Sequence, residues 1–111
     1  MDSVEVTPTF ALVGDVAVYI PYFGDNPRSL FDKENDVCII SGFTPNHEGA
    51  ICYLFADSLE QLMYTDLYTE AEVISALSNK VIVVPVSSLT VLKDFIDPEI
   101  TERVLGTIQN A

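Results

Sequence analysis

The chain contains no tryptophan, one histidine, two cysteines and only five Lys plus Arg, against 17 Asp plus Glu. Each shortage removes a class of function. Five cations in a chain of formal charge −12 are too few to neutralise a phosphate backbone, which argues against direct binding of nucleic acid. The same balance argues against an anionic membrane surface. Runs free of polar residues are short, such as Val16 to Phe23 and Ala50 to Ala56, far below the about 20 residues needed to span a bilayer. The opening Met1-Asp2-Ser3-Val4-Glu5 lacks the basic start and apolar core of a signal peptide, so a cytoplasmic location is expected.

Chemistry is equally sparse. Two Cys and one His without a C-x₂-C pair make no zinc pattern. Gly14, Gly24, Gly42, Gly49 and Gly106 are scattered and form no phosphate-cradling loop. Asp32, Glu34 and Asp36 alternate like the acids of an EF-hand loop, but Val37 stands where that loop requires Gly. No metal and no cofactor is expected. An enzyme would have to rest on Cys38 or Cys52 activated by His47, since a thiol nucleophile needs a base beside it. Counting outward from a Phe43–Ala50 facing pair puts 38 opposite 55 and 52 opposite 41. The two-residue period then sends the thiols to opposite faces of the sheet. Both read as small buried apolar residues, and no enzymatic activity is expected.

What the chain does have is a core. Apolar residues make up 49% of 111 positions, enough for one domain over 10–111 after a flexible segment at 1–9. Val16, Val18 and Ile20 alternate as in a strand that Pro21 ends. Residues 24–36 read as a polar loop anchored by Leu30 and Phe31. Val37 to Phe43 and Ala50 to Phe55 are strands joined by Thr44-Pro45-Asn46-His47-Glu48-Gly49, where Gly supplies a permissive φ > 0. Asp57-Ser58 caps a short helical turn over Leu59 to Met63. Thr69 and Glu72 form a capping box with Tyr68 and Val73 as its hydrophobic staple. That helix should run to Ser78 and leave through a left-handed Asn79. Lys80 to Val86 is a strand confined to an edge by Pro85, Ser87 to Ile96 reads as a turn and a strand over Leu89 to Leu92 or as a short helix, and Asp97-Pro98 starts a terminal helix. The order predicts α+β: a small, strongly bent antiparallel sheet or SH3-like barrel with two short helices.

Charge arrangement is the sharper signal. Between Lys33 and Lys80 there are 46 residues with eight acids and no Lys or Arg. Asp57, Glu60, Asp66, Glu70 and Glu72 stand there with Tyr64 and Tyr68. Carboxylates beside exposed tyrosines suit a basic protein surface, because Tyr gives contact area at low entropy cost and carboxylates meet Arg and Lys. Basic patches of that size mostly belong to nucleic-acid-binding proteins. The functional expectation is a non-enzymatic inhibitor or regulator that occupies such a patch as a nucleic-acid mimic, a type common in phage and mobile elements. The alternative is a structural or assembly module. Its strands are apolar on both faces, so a larger complex or a second copy would cover the face its helices leave bare.

Overall fold

The computed structural model describes residues 11–19, 22–23, 26–27 and 36–109. The flexible start expected at 1–9, most of the loop expected at 24–36 and the acids Asp32 and Glu34 lie outside the described residues.

The chain is α+β. Strands β1 (Val16–Tyr19), β4 (Asp36–Phe43), β5 (Gly49–Phe55), β6 (Leu77–Pro85) and β7 (Leu89–Val91) form one antiparallel sheet in the order β6-β5-β4-β1-β7. Between β1 and β4, β2 (Tyr22–Phe23) and β3 (Asn26–Pro27) pair separately. The helices are α1 (Leu59–Leu62), α2 (Glu70–Ala76) and α3 (Pro98–Gln109).

One face of the sheet lies under the helices. Val16, Val18, Val37 and Ile39 pack there with Leu59, Leu62, Val73, Val104 and Leu105. The opposite face carries Ala17, Cys38, Ile40, Ala50, Cys52 and Leu54, and both edge strands contribute to it: Ile82 and Val84 from β6, Leu89 and Val91 from β7. This second face is buried as well. The side chains of continuous apolar runs such as Val37–Ile40 thus alternate between two buried clusters.

The sheet does not become a barrel. The edges β6 and β7 are not paired, and the sheet is neither closed nor strongly curled, so the strongly bent sheet or SH3-like closure expected from strand order is not reached. A 3₁₀ turn at Val86–Ser88 is the whole link between the two edges. Four residue steps span at most about 14 Å, whereas the edges of a flat five-stranded sheet lie about 19 Å apart. The sheet therefore bends at this corner enough for the chain to cross.

The β4–β5 hairpin forms where expected, with Phe43 opposite Ala50. Its left-handed residue is His47 at φ +60°, not Gly49. The Thr44 carbonyl accepts from the His47 N–H at 2.8 Å, and the Thr44 hydroxyl accepts from the Gly49 N–H at 3.0 Å. Gly49 is there for space: a Cβ would come within 3.0 Å of Thr44 Cγ2 and 3.3 Å of Val83 Cγ1. Helix α2 also departs from expectation. It stops at Ala76 with Leu77 extended, because Leu77 pairs with Phe55 and the Ser78 hydroxyl donates to the Leu54 carbonyl. Asn79 is consequently a strand residue, with no left-handed exit.

Candidate functional site

The register of β4 against β5 shifts between Ile40 and Gly42. Ser41 is the extra residue, its hydroxyl donating 3.0 Å to the Ile51 carbonyl. Beyond this bulge the pairs become Ile40–Cys52 and Cys38–Leu54, one step from the continuous count. The opposite-face placement of the thiols is thereby corrected, since one extra residue reverses a two-residue alternation. Cys38 and Cys52 lie diagonally on the same face, both fully buried, with a side-chain hydrogen bond between them that draws the Cys52 thiol below its usual range while burial pushes it up. Cys38 donates to the Ala17 carbonyl at 3.6 Å and Cys52 to that of Ala50 at 3.7 Å. His47 lies at the hairpin tip with its ring on Phe43, centroids 5.4 Å apart. A buried thiol pair bonded to carbonyls is a packing arrangement, and the structure does not join His47 to it.

The acidic, tyrosine-bearing segment is built by its caps. Ser58 and Gln61 form a capping box on α1, a pairing within the expected short turn. Leu59, Leu62 and Leu67 are buried and pin the segment at both ends. The residues between Leu62 and Leu67 are thereby forced outward. Tyr64 is 85% and Tyr68 77% exposed, and Met63 is exposed beside them. The Thr69–Glu72 box forms as expected, but the staple does not. Glu72 Oε1 accepts from both the Tyr68 and Thr69 N–H, at 2.8 and 3.0 Å, holding the Tyr68 backbone while its ring points to solvent.

Asp57, Asp66 and Glu72 line one shallow depression of about 420 Å³ together with Thr65 and Ser75. Glu60 and Tyr64 are exposed on α1 and the turn after it. Glu70 belongs elsewhere: half-buried, it accepts a hydrogen bond from the Thr107 hydroxyl and ties α2 to α3. The expected set therefore divides. Asp57, Glu60, Tyr64, Asp66 and Tyr68 are exposed, Glu72 is shared between surface and cap, and Glu70 serves the helix pair. The ion pairs among the described residues are Lys93–Asp15 at 3.4 Å and Arg103–Glu99 at 3.9 Å, so none of these carboxylates is neutralised by a described cation.

No family model, curated protein or solved structure matches the chain. The reading of its site thus rests on its own residues. The competing concavity is a cleft of about 570 Å³ between the turn before β1 and α3, walled by Leu12, Val13, Leu92 and Leu105. Its buried hydroxyl, Thr101, already donates to the Pro98 carbonyl at 3.0 Å. Of its charges, Asp15 and Lys93 pair with each other, while Asp94 and Glu102 also line it. The charge left unpaired there is carboxylate alone, with no aromatic side chain among the lining residues. Among the described residues no His, Cys, Asp and Glu cluster could hold a metal, and no helix is long and apolar enough to cross a membrane.

Proposed function

We propose that the chain is a non-enzymatic interaction protein that binds a basic surface of another protein through the segment from Asp57 to Glu72. The supporting observation is the exposure of Tyr64 and Tyr68 among carboxylates that no described cation neutralises. A tyrosine held out in water by a pinned backbone offers contact area at a low ordering cost on binding, and Asp57, Glu60 and Asp66 supply the charge that orients a basic partner. Proteins with basic faces of this extent usually handle nucleic acid, and occupying such a face blocks or regulates that activity.

The test is capture from a cell lysate with the full chain as bait, eluted by rising salt and by added DNA or RNA. The reading requires a nucleic-acid-binding protein released by moderate salt and by nucleic acid. It also requires that protein to be lost from a bait carrying Asp57→Asn, Glu60→Gln, Asp66→Asn, Tyr64→Ala and Tyr68→Ala. Retention of the same partner by the altered bait overturns it.

A further inference from the structure

Among the described residues strand β6 ends the sheet, and its hydrogen-bonding phase can be read from the ladder. The Val86 N–H donates to the Glu48 carbonyl at 2.9 Å, and the register continues through Ala50–Val84 and Cys52–Ile82. In an antiparallel ladder hydrogen-bonded pairs alternate with non-bonded ones, so Val84 and Ile82 turn their backbone groups toward β5. Val81, Val83 and Pro85 turn theirs outward, along the open edge. Pro85, lacking an N–H, thus costs the sheet nothing. The same valines are 52% and 60% exposed. Paired with Tyr53 and Ile51, they point to the side that α2 and α3 cover elsewhere, beyond the helices' reach.

This edge is also where the acidity stops. Between Glu72 and Asp94 the chain has no Asp or Glu, and it has Lys80 and Lys93. A chain of charge −12 meets the least repulsion from its own copy along a strand free of carboxylates, and β6 lies wholly within that stretch.

We propose that two copies of the chain pair antiparallel through β6, with Ile82 on the two-fold axis and Val81 of each copy opposite Val83 of the other. This register matches the outward phase on both strands. Each Val81 and Val83 then exchanges both of its backbone bonds with the second copy, and the exposed valines form one apolar stripe flanked by Ile51 and Tyr53 of each chain. Lys80 falls beside Val84 of the second copy, where no like charge opposes it. The surface is distinct from the Asp57–Glu72 segment, so a dimer leaves that segment free.

Sedimentation equilibrium of the full chain tests this from micromolar to millimolar concentration at low and high salt. The expected result is a mass moving from one chain to two, with tighter association in high salt, where the repulsion between acidic copies is screened. Amide exchange at Val81 and Val83 should slow as concentration rises. Val83→Pro keeps every bond to β5 and should weaken association about 100-fold or more, because symmetry removes two bonds and leaves two acceptors unpaired. Val81→Lys with Val83→Lys, at exposed positions that do not disturb the core, should do the same by repulsion. A single-chain mass throughout at millimolar concentration in high salt, or wild-type association by the lysine pair, overturns the proposal.

Discussion

Cys38 and Cys52 sit diagonally across β4 and β5, both fully buried, on the core face opposite the described helices. Ser41 puts them there. Replacing Ser41 by Ala keeps the extra residue and removes one hydrogen bond, so urea melts should show a loss of about 0.5–1.5 kcal/mol. Deleting Ser41 should abolish cooperative unfolding, because Val37 and Ile39 would exchange faces with Cys38 and Ile40.

Burial governs the thiols' reactivity. Native protein should react with a thiol-specific disulfide reagent only as fast as it opens, and both thiols should titrate at once in denaturant. Cys52→Ser should be less stable than Cys52→Ala, since it buries a hydroxyl that is harder to desolvate. A difference of about 1 kcal/mol or more is expected, measured by thermal melts of the two variants.

The hairpin separates two reasons for glycine. Gly49→Ala places a methyl against Thr44 and Val83 and should cost about 1–3 kcal/mol. His47→Gly gives the left-handed position a residue that adopts it freely and loses only the ring contact with Phe43. Stability should then stay within about 1 kcal/mol of the wild type. Denaturant melts of both variants check the contrast.

The cap and the surface respond differently to substitution. Thr69→Ala removes the acceptor for the Glu72 N–H and should cost about 1 kcal/mol, while Glu72→Gln retains a side-chain acceptor for Tyr68 and Thr69. Asp57→Asn, Glu60→Gln and Asp66→Asn together should leave the melting free energy within about 0.5 kcal/mol. Circular dichroism melts distinguish the two groups, and only the second is a fair probe of binding.

Features closed within a few residues were legible in the sequence. The cap at Ser58, the capping box at Thr69, the start of α3 at Asp97-Pro98 and the strands either side of Thr44–Gly49 all formed where local chemistry placed them. A cap or turn is made by groups three to five positions apart, so distant contacts rarely move it. The acidic segment and its tyrosines were legible as a candidate for the same reason: charge spacing and residue type are written in the chain itself.

The rest depended on partners far along the chain. The end of α2 was set by pairing of Leu77 with Phe55, which overrode the helical continuation through Ser78. Tyr68 left its staple position because Glu72 took its backbone N–H. Glu70 left the candidate surface because Thr107 of α3 reached it. The sequence alone determined the composition of the core, the local caps and the density of negative charge. Tertiary structure decided which face Cys38 and Cys52 share, which carboxylates remain free and which valines stand on an open edge. One inserted residue reverses an alternation, and an edge exists only once the strand order is complete.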